Sequence, residues 1–310
     1  MADLIFLENI ERDPKTVLTV GTFDGVHRGH KALIRKVVEK ANQRQARSVI
    51  VSFDPHPREI ISSGPDSIEL LTTLKERSAL MKKLGVDILL IIPFTRDFSL
   101  KSSEEFVEKD LFGKIGIEEF VIGYDHHFGK DRQGSIDTVE KMSKKLGFDS
   151  YVVSKKEVGE TTVSSTKIRN LLSKQGDIKQ ASNLLGWRYS LTGLVVHGQQ
   201  RGKSMGFPTA NLVVDNAKKL IPANGVYAVK VEIDNQSFKG MMNIGHRPTF
   251  KDNNKKSIEV HILDFDRDIY GQTLDVVFLE KIREERSFSS KEELINQLRN
   301  DKKIAQKINM

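Results

Sequence analysis

The chain has 310 residues, 38% of them hydrophobic and 29% charged, with a formal net charge of +7 and no cysteine. That length suits two domains of ordinary size, and that balance belongs to a folded soluble protein rather than a disordered one. The missing thiols exclude disulfides, thiolate metal sites and cysteine nucleophiles, and they accord with a reducing cytoplasm, the expected location. No apolar run approaches a membrane span, and the opening seven residues lack the basic region and apolar core of a signal peptide. A basic chain can serve nucleic acid, an anionic membrane or polyphosphate ligands. Here the lysines are scattered in short pairs such as Lys82-Lys83 and Lys144-Lys145, and one tryptophan and five tyrosines give little aromatic interleaving. Neither a nucleic-acid nor a membrane partner is expected.

In chain order, apolar runs at 17–20 and 48–53 read as strands flanking a helix from about 30 to 41. An amphipathic stretch at 74–84 ends at Gly85, and a continuous apolar run at 87–92 is bounded by Pro93. A helix is expected at 103–111, a strand at 119–122, a helix at 135–146 and an extended segment at 151–153. Buried strands alternating with helices predict a parallel sheet covered on both faces, with ligands at the carboxyl ends of its strands. Past Trp187 the texture changes. Extended segments at 188–196, 226–233, 239–243, 258–263 and 273–278 alternate with Gly, Asn and Asp turns, which predicts an antiparallel sheet or small barrel. A closing helix follows near 290–299, with Ser289/Ser290 and Glu292/Glu293 as start signals. The change falls near 183–187 and divides the chain into 1–183 and 184–310.

Residues 21–30, Gly-Thr-Phe-Asp-Gly-Val-His-Arg-Gly-His, stand where the first of these strands gives way to a helix. Glycines admit a ligand to the backbone, and a helix start offers unpaired N–H groups and positive potential. His27 and His30 fall on neighbouring helical positions, where they can serve one phosphate or simply cap the helix. Ser164, Ser165 and Thr166 precede a short helix at 167–172 bearing Lys167 and Arg169, either a second anion site or a plain capped surface helix. Phe53-Asp54-Pro55-His56-Pro57 is a stiff turn, and residues 123–134 form a glycine-bounded loop.

The His-x-Gly-His tetrapeptide resembles the nucleotidyltransferase signature. Together with Gly-x-Phe-Asp-Gly, Phe-x-Pro-His-Pro, the 123–134 loop and Ser-Ser-Thr-x-Ile-Arg, it resembles the bacterial bifunctional riboflavin kinase/FMN adenylyltransferase family. The resemblance implies a Rossmann-like domain in which Gly21, Phe23, Asp24, Gly29, Ser164, Ser165 and Thr166 hold ATP. His27, His30 and Arg169 would stabilise charge on the reacting phosphates, and Pro55, His56, Pro57, Asp125, Phe128 and Arg132 would meet the flavin. Two positions depart from the family pattern: Val163 replaces an isoleucine, and His126 stands where phenylalanine is common. The attacking FMN phosphate is already ionised, so direct in-line transfer without a base or a covalent adenylyl-enzyme is expected.

Residues 198–211 are glycine-rich and basic, yet Gly202-Lys203-Ser204 lacks the spacing of a Walker loop. Thr209 and Asn211 are two apart, so in an extended segment they share a face and present oxygen suited to Mg²⁺. Glu259 alternates with Ile258 and Val260, so it faces away from the core with His261. These segments resemble the riboflavin kinase signatures Gly-x-x-x-Gly-x-x-x-Gly-Phe-Pro-Thr-Ala-Asn and Glu-x-His-Ile-x-Asp-Phe. The resemblance implies a small antiparallel β-barrel kinase with a closing helix. ATP would lie at Gly198, Gly202, Lys203, Gly206, Pro208, Thr209 and Asn211, and Mg²⁺ at Thr209 and Asn211, with Glu259 the base that a ribityl hydroxyl requires. The polar loop at 251–256 is a candidate cover for this site. The expected chemistry turns riboflavin and ATP into FMN in the second domain, and FMN and ATP into FAD and pyrophosphate in the first, both with Mg²⁺.

Overall fold

The computed structural model describes residues 2–61, 68–124, 126–130, 133–154, 163–198, 202–234, 236–246 and 256–310. The chain divides into two units, Met1–Ser165 and Thr166–Met310. Among the described residues, no helix is long and apolar enough to cross a membrane.

The first unit is built on six strands: β1 (Asp3–Phe6), β2 (Thr16–Val20), β3 (Arg47–Asp54), β4 (Ile88–Pro93), β5 (Glu119–Gly123) and β6 (Asp149–Val153). They pair in the order β1-β4-β3-β2-β5-β6, and every pairing is parallel. The helices are α1 (Arg28–Arg44), α2 (Pro57–Ile61), α3 (Leu74–Lys83), α4 (Arg96–Ser99), α5 (Ser103–Glu105) and α6 (Ile136–Leu146). Side chains alternate across the strands and feed two cores. Leu18, Val20, Val49, Val51, Leu90 and Ile92 line one face. Val17, Ile50, Leu89 and Ile91 line the other, packed against Ile34 and Val37 of α1 and Met81 of α3. The strand order reverses between β2 and β5, and in such sheets ligands sit outside the carboxyl ends at that reversal.

Two elements depart from the sequence-based reading. The edge strand β1 was not anticipated; its apolar stretch Leu4-Ile5-Phe6 is short and mostly exposed. The expected helix at 103–111 makes one α-turn and then widens into a π-helix, Phe106–Ile115. The wider turn sets Phe106, Leu111 and Ile115 against the sheet.

The second unit opens with α7 (Ser165–Asn170, whose first residue closes the first unit), a π-turn (Leu171–Gln175) and α8 (Ile178–Leu185). Six strands follow: β7 (Ser190–Val196), β8 (Ala210–Val214), β9 (Gly225–Ile233), β10 (Gln236–His246), β11 (Lys256–Ile262) and β12 (Thr273–Arg283). They close a barrel in the order β10-β11-β8-β7-β12-β9, with every pairing antiparallel. Tyr189, Tyr227 and Phe278 are fully buried large side chains of this unit. The closing helix α9 (Lys291–Lys307) is longer than expected, and Ser290 caps it by accepting from Glu293 N. Its Asp301 is completely buried and takes a forked ion pair from Arg283 at 2.9–3.2 Å. That pairing, with Gln297 donating to the same carboxylate, fixes the helix on β12.

Candidate active sites

The connection from β2 to α1 is held in an uncommon backbone conformation. Phe23, Gly25 and Val26 have φ of 47°, 85° and 38°. A bulky and a β-branched residue in the left-handed region each cost about 1–3 kcal/mol and persist only where the surroundings over-determine them. The turn delivers His27 to the N-cap of α1, where Nδ1 accepts a hydrogen bond from His30 N at 3.2 Å. That bond fixes the proton of the neutral His27 ring on Nε2. The two imidazoles stack, 3.5 Å between centroids and 18° from parallel, and Phe23 meets His30 edge-on at 5.3 Å. His30 Nδ1 is buried and meets no hydrogen-bond partner among the described residues. Burial, then the fields of His27, Arg77 and His126, hold the His30 imidazole well below its usual range, so the ring is neutral near pH 7. Gly29 lies in the first turn of α1 beside them, and Gly21 lets the Phe23 ring lie against the chain.

Asp24, expected at the phosphate, has its side chain turned into the fold. It is completely buried and accepts from Leu71 N, Thr72 N and Thr72 Oγ1 at 2.9–3.0 Å. The left-handed residues on either side of it reverse the chain and aim the carboxylate inward. Its backbone carbonyl accepts from Ser165 Oγ at 2.9 Å, which ties Ser165 to the turn before His27 within this unit. Ser164 and Thr166 are exposed, and Arg169 is half-buried on α7.

At the carboxyl ends of β3 and β5, Phe53, Phe94, Phe98, Phe106 and Phe128 form a run of aromatic contacts at 5.5–6.3 Å. His126 stacks on Phe128 at 6.0 Å, so the position that departs from the family pattern still carries a ring against this cluster. Pro55 and Pro57 are half-buried, and His56 is buried with Nδ1 accepting from Arg58 N. Asp125 and Arg132 lie outside the described residues.

The sequence reading missed Arg77, on α3. It is 3% exposed, donates to Ser52 Oγ at 3.0 Å and to Thr72 O at 3.4 Å, and lies 3.8 Å from Asp24. The available signal was an arginine four residues before Met81 on the buried face of an amphipathic helix.

In the second unit, β8 was not anticipated as a strand, and it is what builds the site. It pairs antiparallel with β11 so that Asn211 and Glu259 are direct partners. Thr209 Oγ1 donates to Glu259 Oε2 and Ser257 Oγ to Oε1, each at 3.3 Å. Gly198 permits this packing, since a Cβ there would stand 2.1 Å from Asn211 Nδ2. Gly206 has φ +80°, a turn conformation that favours glycine. Gly202 O accepts from Phe207 N at 2.9 Å, closing the loop that leads into exposed Pro208. Nothing is described of the Lys203 side chain, and residues 251–255 of the expected cover lie outside the described residues. His261 corrects the sequence reading. It leaves the barrel interior as expected, but it is 8% exposed because Phe207 and Pro208 cover it. Its Nδ1 donates to Pro208 O at 2.7 Å, and burial pulls its basicity down.

The two sites call for different chemistry: one has donors and a helix N-terminus for anionic oxygens, the other a carboxylate beside hydroxyl and amide oxygens. A family model described as FAD synthetase matches residues 9–167, and one described as riboflavin kinase matches residues 185–309. A bifunctional riboflavin kinase/FMN adenylyltransferase of Listeria monocytogenes is 39% identical over 93% of this chain and 91% of its own length. Proteins of the same name from Pseudomonas fluorescens (39% identical, 90% of this chain, 88% of theirs) and Bacillus subtilis (33%, 95% and 93%) are similar throughout. A crystal structure described as a macrolide-efflux protein from Streptococcus pneumoniae superposes with a TM-score of 0.88, at 30% identity over 99% of each chain. Efflux is said of that protein alone; the family models and curated relatives agree on flavin chemistry. On these matches, which span both units, the chain belongs to the bifunctional riboflavin kinase/FMN adenylyltransferase family.

Proposed function

We propose that this chain makes FAD from riboflavin in two steps at two sites, and that its functional division falls at 183/184. In the second unit, the terminal ribityl hydroxyl attacks the γ-phosphate of ATP. The new O–P bond forms, the bond to the β,γ-bridging oxygen breaks, ADP leaves and the proton passes to Glu259. The observation that carries this reading is the meeting of Glu259, Thr209 and Asn211 across the β8–β11 pairing. Among the described residues, the Glu259 oxygens meet long hydroxyl contacts of 3.3 Å from Thr209 and Ser257, which leave lone pairs open to a substrate hydroxyl. The oxygens of Thr209 and Asn211 suit hard Mg²⁺, which they would hold together with substrate phosphates and water, and which would neutralise charge on the transferring group. Gly198, Gly202, Lys203, Gly206 and Pro208 form the ATP-binding loop in this reading.

In the first unit, a phosphate oxygen of FMN attacks the α-phosphate of ATP, the bond to the β-phosphate breaks, and pyrophosphate leaves. No adenylyl-enzyme forms. His27, His30 and the α1 N-terminus meet the charge that develops, with Gly21, Phe23 and Gly29 shaping the turn and Ser164, Ser165, Thr166 and Arg169 serving the phosphates. The aromatic cluster beside Phe128 and His126 offers the flavin an apolar wall. Asp125, Arg132 and the Pro55-His56-Pro57 turn complete that subsite. We place the work in the cytoplasm, without a nucleic-acid or membrane partner, and the +7 charge is compatible with polyphosphate ligands.

The test is to incubate the purified chain with riboflavin, ATP and Mg²⁺ and resolve the flavins by chromatography. FMN followed by FAD is expected. FMN alone would withdraw the first-unit reading, and neither product would leave a flavin-binding scaffold without turnover.

A further inference from the structure

Arg77 is a fully charged side chain sealed inside the first unit, next to a turn that cannot hold its shape unaided. Its guanidinium reaches Ser52 of β3, whose Oγ in turn donates to Thr22 O at 3.0 Å. It also reaches Thr72 O and lies beside Asp24. Thr72 Oγ1 donates to Asp24 and accepts from Gly25 N at 2.9 Å. Thr22, Asp24 and Gly25 of the strained turn are therefore all tied to β3 or to the segment before α3 through groups that Arg77 contacts. The carbonyl of Asp24 extends the network to Ser165.

We propose that Arg77 is a positioning residue for adenylyl transfer: through Asp24, Thr72 and Ser52 it fixes the left-handed turn that places His27 and His30, and the serine that opens α7. This rests on the reading of the first unit as an FMN adenylyltransferase. A buried ion pair adds little net stability compared with apolar groups of equal volume, so the contacts that Arg77 makes to the turn, rather than a gain in stability, carry this proposal. The guanidinium has a second effect. With His27 on the same helix and His126 from the loop after β5, it is one of the charged or titratable groups whose field acts on His30. Removing its charge lets His30 take up a proton at higher pH.

The experiment uses the full chain and two variants, Arg77→Met and Arg77→Lys. FAD formation from supplied FMN is followed against pH, His30 is titrated by NMR of histidine-labelled protein, and riboflavin phosphorylation is the folding control. Arg77→Met is expected to lower kcat for FAD formation about 100-fold, the scale of a small misplacement of reacting groups. It should also move the acid limb of kcat/KM and the His30 titration to higher pH, and leave phosphorylation unchanged. Arg77→Lys keeps the charge but not the forked contacts, so it should lose about 10-fold in kcat while both titrations stay in place. If Arg77→Met fails to fold, Arg77→Lys decides alone: wild-type kcat overturns the proposal. Lost rate in Arg77→Met with neither titration moved also overturns it, because a merely structural role would do that. A wild-type chain that makes no FAD from FMN instead removes the underlying assignment.

Discussion

Thr209 Oγ1 and Glu259 Oε2 lie 3.3 Å apart although fifty residues separate them in the chain. Strand pairing, not local sequence, makes that contact, because β8 and β11 bring Asn211 opposite Glu259. The kinase site is thus a register property of the barrel, and changes that shift the register or displace Asn211 should disable it without touching Glu259.

Gly198→Ala tests that dependence. The new Cβ would stand 2.1 Å from Asn211 Nδ2 and 2.4 Å from its Cγ, so the amide must leave its place. Riboflavin phosphorylation should fall about 100-fold, the usual consequence of a misplacement near 1 Å. FAD formation from supplied FMN should be retained. Steady-state assays of both reactions on one preparation check it.

His27 has two jobs that substitution can separate. As N-cap it accepts from His30 N. His27→Ala should therefore cost about 1 kcal/mol of stability as well as adenylyl transfer, whereas His27→Asn should restore the cap and not the activity. Urea midpoints of the first unit, read beside FAD formation, check both halves.

Acid should destabilise the folded chain. His30 and His261 are both held below the ordinary histidine value of 6.5, chiefly by burial. Above that value neither state binds the proton and the two histidines contribute no pH dependence. Below it the unfolded chain takes up protons that the folded chain refuses, so stability falls until the lowered folded values are reached. Urea midpoints should drop steadily from pH 6.5 downward, and less so in His30→Asn.

The sequence made the α/β alternation legible because β4 opens on an unbroken apolar run, β2 is mostly apolar and α1 repeats Leu33, Ile34, Val37 and Ala41 at helical spacing. It concealed β1, whose alternate side chains face solvent at the sheet edge, and β8, which starts inside a glycine- and proline-rich motif. Thr209, Asn211 and Glu259 were readable from the two-residue period of extended chain. Arg77 was not, since its partners Ser52 and Asp24 lie far away in sequence and helical periodicity records burial rather than partners. The burial of the Asp24 carboxylate was not legible either, for a different reason. Its neighbours are those of a phosphate loop, and only the positive φ at Phe23 and Gly25 turns the carboxylate inward.

The most direct test of two independent sites is Glu259→Gln in the full chain, assayed once with riboflavin and once with FMN. Loss of a general base costs about 10²–10⁴ in rate. The two-site account predicts that loss in FMN production from riboflavin, with FAD formed from supplied FMN at the wild-type rate. Wild-type flux from riboflavin, or equal loss of both reactions, would contradict it.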